Sequence, residues 1–176
     1  MFGGVSKASV VTFDDAAGNS ILDVNQASFA DQGLTFTNNG SFMYVWDPGS
    51  PNSNGTNNNI FAGFSSTDNE AITATSGDLI NLYSMDLAIS WYDSNATEQI
   101  FINGVPLTIT QTLTTYNLNL FDVSSVTITG VPSDSGYWLA DNINFADVPE
   151  PSPVALIGVA LLSLLGLGLM RRRADA

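Results

Sequence analysis

Short runs rich in Val, Ile, Phe, Thr, Tyr and Trp recur about every ten residues from Ser9 to Asp147, separated by Asn, Asp, Gly and Ser. This spacing is typical of the strands of an antiparallel β-sandwich. Apolar and polar residues alternate most clearly from Tyr116 to Leu120 and from Val126 to Thr129. Because side chains alternate between the two faces of a strand, each of these runs buries one face and exposes the other. The sequence therefore predicts an all-β fold.

An Asn-Gly pair at Asn103 and Gly104 lies between two of these runs, and Asn-Gly favours the type I′ turn that joins paired strands. The predicted strands are Val10 to Phe13, Gly33 to Thr37, Phe42 to Trp46, Ile60 to Ala62, Glu70 to Ala74, Leu79 to Tyr83, Leu87 to Tyr92, Gln99 to Ile102, Val105 to Thr110, Thr115 to Leu120, Val126 to Thr129 and Trp138 to Phe145.

The charge of the chain is strongly one-sided. Its four cations are Lys7 and Arg171 to Arg173, whereas fifteen of its seventeen Asp and Glu residues, all but Glu150 and Asp175, lie from Ser9 to Asp147. Nucleic acid is not expected as a partner, since Lys and Arg supply most of the affinity for phosphates. An acidic surface attracts metal ions, and calcium is the hard, oxygen-seeking cation available outside cells. Most of the acids are nevertheless expected to serve solubility.

Catalytic signatures are scarce, because the chain contains neither His nor Cys. Ser-His-Asp triads, Cys-His dyads and histidine or thiolate metal sites are therefore ruled out. Glycoside hydrolysis needs only two carboxylates, and Glu70 and Glu98 are the glutamates from Ser9 to Asp147. A glycoside hydrolase stays open as a remote alternative to a protein that is not an enzyme.

The sequence at the end of the chain predicts a membrane anchor. Residues 154–170 are apolar apart from one Ser, and a helix of that length spans about 25 Å, the short end of a membrane crossing. Arg171, Arg172 and Arg173 follow, which predicts a basic cytoplasmic tail at 171–176 that stops the chain in the membrane. Pro149, Glu150 and Pro151 lie in a stiff neck at 148–153, after a predicted domain at 9–147.

In this order of elements the tail resembles the PEP-CTERM proteins, a family of exported bacterial proteins. The resemblance implies an exosortase partner that cleaves near Pro149-Glu150-Pro151, in Gram-negative bacteria that make exopolysaccharide. It also implies a precursor in the inner membrane and a mature protein at the cell surface or in the extracellular matrix. Residues 1–8 have no apolar h-region but carry small residues at Ser6 and Ala8, which suggests the remnant of a signal peptide.

Acidic residues at the two ends of the predicted domain suggest a metal site. Asp14 and Asp15 follow the first predicted strand, and Asp141 and Asn142 lie in the last. Terminal strands lie side by side in many jelly-roll sandwiches, so these four residues are candidate calcium ligands. The alternative is that they only cap turns. Together with Gly33-Leu34-Thr35-Phe36, they resemble sugar-binding-module-like sandwiches of jelly-roll type.

Aromatic rings near polar loops are candidates for stacking on sugars. Trp46 leads into the long Asn/Ser/Gly segment after Asp47, and Tyr92 precedes Asp93. The main hypothesis is an exported protein of the cell envelope or exopolysaccharide matrix with a structural or adhesive domain. The alternative is a calcium-dependent carbohydrate-binding module, in which Trp46 and Tyr92 contact the sugar.

Overall fold

The computed structural model describes residues 8–13, 22–24, 28–38, 42–46, 60–64, 69–89, 96–130, 138–148 and 157. The chain divides into two compact units. The first is Ser6–Val148, which contains all the described strands. Met1–Val5 and Pro149–Ala176 are assigned to the second, of which Ile157 is described. Ile157 is helical, so the predicted membrane helix at 154–170 otherwise lies outside the described residues. None of the helical structure described is long and apolar enough to cross a membrane.

The described residues form thirteen strands. They are β1 Ser9–Val11, β2 Leu22–Val24, β3 Ser28–Asp31, β4 Leu34–Asn38, β5 Phe42–Trp46, β6 Ile60–Phe64, β7 Asn69–Ala74, β8 Leu79–Ile89, β9 Thr97–Ile102, β10 Val105–Thr110, β11 Thr114–Val123, β12 Val126–Gly130 and β13 Trp138–Val148.

These strands pair into two sheets, and every pairing is antiparallel. Sheet A has the order β11-β8-β13-β6-β5-β2, and β1 pairs with β13 beside this path. Sheet B has the order β10-β9-β12-β7-β4-β3. The prediction of an all-β, antiparallel sandwich is confirmed at this level.

The core lies where the inner faces of the two sheets meet. Leu34, Ile72 and Ile128 contribute from sheet B, and Leu87 and Phe145 contribute from sheet A; all belong to one buried apolar cluster. The alternation predicted from the sequence explains this, because every second side chain of β4 and of β12 is buried. Burial of this apolar surface is the main force that holds the two sheets together.

The predicted hairpin at Asn103 and Gly104 is confirmed. Both residues have positive φ, 49° and 77°, and they join β9 to β10 with Val105 opposite Ile102. The Asn103 side chain also accepts a hydrogen bond from the backbone N–H of Thr127 at 2.7 Å. The turn is thereby tied to the neighbouring strand β12 as well.

Two differences from the predicted strands have physical causes. Leu79 to Tyr83 and Leu87 to Tyr92 were expected as separate strands, but Leu79–Ile89 is one continuous strand. The alternation breaks between Leu82 and Met85 because the register shifts there, and a bulge interrupts a face without ending the strand. The other difference is that β2 and β3, with three and four residues, are too short to be predicted from their sequence.

Candidate functional site

The first and last described strands lie side by side, as predicted. β1 pairs with β13, and Val11 lies opposite Ile143, which is two residues after Asp141. Asp14 and Asp15 lie outside the described residues. Asp141 is buried, with 1% of its surface exposed, and its carboxylate Oδ1 accepts a hydrogen bond from the backbone N–H of Asn142 at 2.7 Å.

The residue opposite Asp141 on the adjacent strand β8 is Asp86. The Asn142 side-chain amide donates to Asp86 Oδ2 at 2.8 Å, and the Thr115 hydroxyl of β11 donates to Asp86 Oδ1. Three neighbouring strands thus bring together two carboxylates and their neutral donors. Side chains directly opposite one another have Cβ atoms about 4.5–5.5 Å apart, so the two carboxyl groups are neighbours on the same side of the sheet.

This group lies on the side of sheet A that faces away from the core. Met85 and Leu87 belong to the core cluster, so Asp86 between them points outward. We call this side the outer face of sheet A and define it by the outward residues of β8, β11 and β13. Its described members include Asn81, Tyr83, Ser84, Asp86, Ala88, Thr115, Asn117, Asn119, Phe121, Asp122, Leu139, Asp141, Asn142, Asn144 and Ala146. Ala88, Leu139, Asp141 and Ala146 are buried, whereas the β11 residues Asn117, Asn119, Phe121 and Asp122 are exposed.

Bulges shape the outer face of sheet A in all three strands. The β8–β13 register shifts between Asp141 and Asn144 and again before Phe145, and the β8–β11 register shifts twice between Asn117 and Val123. Asn119, Asp122 and Asn142 have φ of 51°, 53° and 46° at these places. Asn and Asp tolerate this left-handed geometry better than other side chains, and bulges often re-aim side chains next to binding sites.

An aromatic pair stands on the same face. The rings of Tyr83 and Phe121 meet edge to face with centroids 6.2 Å apart and an interplanar angle of 69°. Phe121 is 57% exposed. Leu118 and Leu120, in the same strand, pack against the core. Because side chains alternate along a strand, Phe121 points to the opposite, solvated side. This alternation is the sequence signal that could have identified Phe121.

Of the two predicted sugar-stacking residues, Trp46 is the last residue of β5, and its side chain lies outside what the structure describes. Tyr92 lies outside the described residues altogether. The sorting residues Pro149, Glu150 and Pro151 and the stop residues Arg171, Arg172 and Arg173 also lie outside them. All of these assignments stay predictions.

The two glutamates considered for hydrolysis lie on the inner face of sheet B. Glu70 on β7 and Glu98 on β9 are 1% and 5% exposed. Glu70 lies opposite Ile128 of β12, and Ile128 lies opposite Ile102, which is four residues beyond Glu98. Two strand spacings and four residues of rise separate their Cα atoms by roughly 16 Å. This arrangement offers neither the spacing nor the solvent access of a glycosidase carboxylate pair.

A pocket of about 240 Å³ opens between the edge strands β10 and β11. Apart from Asn117 its lining is apolar: Ile102, Val105, Pro106, Leu107, Leu118 and Leu120. The hydroxyl of Tyr116 donates to the backbone carbonyl of Thr108 at 3.2 Å and bridges the same two strands. The pocket lacks the several polar groups that a sugar ring requires, so it is a weaker candidate than the outer face of sheet A.

Asp147, near the end of β13, is a described carboxyl whose pKa is perturbed. Burial raises its pKa above the ordinary 3.8, and repulsion from Asp78 raises that pKa further.

Within the described ranges no group of three or more acidic side chains is arranged to hold a metal ion. Calcium needs six to eight oxygen ligands, and Asp141 and Asn142 supply only part of such a set.

Comparison with known proteins finds similarity among solved structures. No family model matches the chain, and no curated protein matches it. Among solved structures, the chain is similar to the CBM22-1 xylan-binding domain from Paenibacillus barcinonensis Xyn10C, with a TM-score of 0.38 and 10% sequence identity. The match covers 83% of this chain and 97% of that one. A TM-score of this size assigns no ligand to the chain.

Proposed function

We propose that Ser6–Val148 is a non-catalytic, polysaccharide-binding sandwich of jelly-roll type, and that the ligand binds to the outer face of sheet A. The observation that carries the proposal is the exposed Phe121 ring, which pairs with Tyr83 and lies beside the polar residues Asp122 and Ser84. Burial of aromatic rings contributes strongly to folding, so a ring left more than half exposed gives up much of that contribution. Contact with a ligand offsets the loss.

The chemistry of the face suits a sugar chain. A sugar ring has an apolar C–H surface that packs on an aromatic ring, and its hydroxyls need both donors and acceptors. Asn117 and Asn144 offer amides, Ser84 and Thr115 offer hydroxyls, and Asp86 offers a carboxylate. Binding sites typically combine apolar or aromatic contact area with a few polar groups that fix orientation.

The experiment is native affinity electrophoresis of the full chain, in nonionic detergent, through gels that contain neutral polysaccharides. Phe121→Ala is expected to abolish retardation. Val105→Ala is the matched control, because Val105 is 64% exposed on β10 of sheet B and lines the apolar pocket instead. Loss of retardation in Val105→Ala but not in Phe121→Ala would move the site to that pocket.

Calcium is proposed as a supporting ion, held by Asp14, Asp15, Asp141 and Asn142. Its support is the position of Asp141 and Asn142 next to β1, since Val11 of β1 lies opposite Ile143. Repeating the gels with calcium and with a chelator tests the ion separately. Retardation that the chelator abolishes supports calcium; equal retardation in both gels removes it and leaves sugar binding intact.

We further propose that the protein is exported and sorted, and that an exosortase cleaves near Pro149-Glu150-Pro151 to release it to the cell surface or matrix. Support comes from the sequence of the tail, with its apolar segment and its three arginines. Glu150→Ala is expected to leave the chain uncleaved in the inner membrane, whereas Ser152→Ala is processed. Immunoblotting of membrane and external fractions measures the release. If Glu150→Ala were released at the normal rate, this sorting route would be ruled out.

A further inference from the structure

The two most exposed of the large apolar side chains described in Ser6–Val148 lie on opposite sides of the edge strand β11. Val105 is 64% exposed and Phe121 is 57% exposed, whereas Val10 and Leu79 are 44% and 40% exposed. Phe121 lies on the outer face of sheet A, and Val105 lines the apolar pocket between β10 and β11. Exposed apolar patches with polar rims often mark ligand-binding grooves. The pocket is therefore a second apolar surface beside the proposed sugar site.

The pocket and the outer face of sheet A share a residue. Asn117 of β11 belongs to that face and also lines the pocket. β11 and β10 are the end strands of the two described sheets, so among the described residues no strand separates the face from the pocket. Four residues of β11 separate Asn117 from Phe121, a distance of at most about 13 Å. A chain of several sugars that packs on Phe121 can therefore extend past the pocket.

The lining of the pocket fits an acyl group better than a sugar ring. Asn117 is its polar residue, and the other six lining residues are apolar. The nearby backbone carbonyl of Thr108 already accepts a hydrogen bond from the Tyr116 hydroxyl at 3.2 Å. An acyl ester needs one donor for its carbonyl oxygen, which the Asn117 amide supplies, and apolar contacts for its alkyl part.

The size and the charge of the pocket narrow the ligand further. Its volume is about 240 Å³, and an apolar cavity of about 150 Å³ already holds benzene, so an alkyl chain of several carbons has room. No ionisable side chain lines the pocket, so a charged group would lose its hydration there without a countercharge. An anionic group would also be repelled by a chain of net charge −13. The group that fits is neutral.

We infer that the ligand is a polysaccharide that carries neutral acyl esters, and that the pocket between β10 and β11 holds an acyl group while Phe121 packs on a sugar of the same chain. The inference rests on the proposed function and names its ligand class.

The test is native affinity electrophoresis of the full chain in digitonin, a detergent whose rigid steroid body replaces the flexible alkyl chain that would compete for the pocket. Each neutral polysaccharide is used unsubstituted, acetylated and butyrylated, with the same low degree of esterification. Retardation is expected to increase in that order. Each buried CH₂ increases affinity about fourfold, so the two additional CH₂ groups of a butyryl ester are expected to give about fifteenfold tighter binding than an acetyl ester.

Two variants alter the pocket, and a third is their control. Val105→Asn makes the exposed rim polar, and Leu107→Phe fills the space with a larger side chain. Both are expected to lose the butyryl preference and to keep the retardation by the unsubstituted polymer. Thr108→Asn is the matched control, because Thr108 is exposed on the same strand but does not line the pocket. It is expected to keep the preference, and a loss equal to that of Val105→Asn would overturn the assignment to the pocket.

The remaining outcomes separate the inference from the proposed function. Equal retardation by the unsubstituted and the esterified polymers, abolished by Phe121→Ala, would overturn the acyl preference and leave the sugar site in place. No retardation by any form of any polymer would overturn both. A butyryl preference that persists in Val105→Asn and in Leu107→Phe would show that the alkyl chain binds elsewhere, and would also overturn the inference.

Discussion

If Phe121 is a ligand-binding ring, replacing it should change binding far more than stability. Phe121 is 57% exposed, so 100 − 57 leaves 43% of its surface buried. Full burial of a Phe side chain contributes about 1.5–3 kcal/mol, and this fraction of it is about 1 kcal/mol. The edge-to-face contact with Tyr83 adds about 0.5–1.5 kcal/mol. Phe121→Ala is therefore expected to lower the free energy of unfolding by about 2 kcal/mol.

Phe36→Ala is the comparison. Phe36 is fully buried, and its ring lies 5.4 Å from that of Phe13 in the core. Removing a buried Phe typically costs about 3–5 kcal/mol, because a cavity is left behind. In a protein of this size 1 kcal/mol shifts Tm by about 2–4 °C. Phe121→Ala should lower Tm by about 4–8 °C, and Phe36→Ala should lower it by about 6–20 °C.

The assay is thermal unfolding followed by circular dichroism, with urea unfolding to obtain free energies, alongside affinity electrophoresis of the same preparations. The reasoning predicts that Phe121→Ala folds well and loses its retardation. A destabilisation equal to that of Phe36→Ala would show that Phe121 is a structural ring. A small destabilisation with unchanged retardation would show that the outer face of sheet A does not bind the polysaccharide.

Three further predictions concern the fold. Gly104→Ala should lower the free energy of unfolding in urea by about 1–2 kcal/mol, because φ is 77° at this residue. No atom lies within 4 Å of the added Cβ, so the loss would come from the backbone alone. Equal stability of the variant would refute the type I′ geometry. Phe13→Ala should cost about 3–5 kcal/mol, and a negligible loss would show that the β1 end is not part of the core. Since the pKa of Asp147 is raised in the fold, stability should fall as pH rises from about 3.8 through that raised pKa, and Asp147→Asn should flatten this slope in unfolding curves measured from pH 3.5 to 7.

Local signals in the sequence predicted a large part of the sandwich. Alternation identified the buried face of β12, and Asn103-Gly104 identified the hairpin between β9 and β10. Both depend on neighbours in the chain, because side-chain direction has a period of two and a type I′ turn needs two positive-φ residues. The continuity of β8 could not be predicted in this way, since its bulge at Tyr83 is defined against β13 and β11.

Only some residues of the candidate site could be predicted from the sequence. Asp141 and Asn142 form an acidic motif at the end of the predicted domain, but Asp86 falls between the predicted strands Leu79 to Tyr83 and Leu87 to Tyr92 and was not predicted to lie in a strand. Its position opposite Asp141 depends on the register between two strands 56 residues apart in the chain, counted from Asp86 to Asn142. Bulges set that register, and no local pattern encodes it.

The amino-acid sequence by itself determined the strand-rich character of the domain and the absence of Lys, Arg and His from residues 9–147. These properties follow from composition and from short-range order. Only the tertiary structure decided that Tyr83 and Phe121 meet, that Asp86 lies opposite Asp141, and that Glu70 and Glu98 are buried far apart. The physical reason is that strand order and register bring distant residues together, and burial of the whole core selects the register.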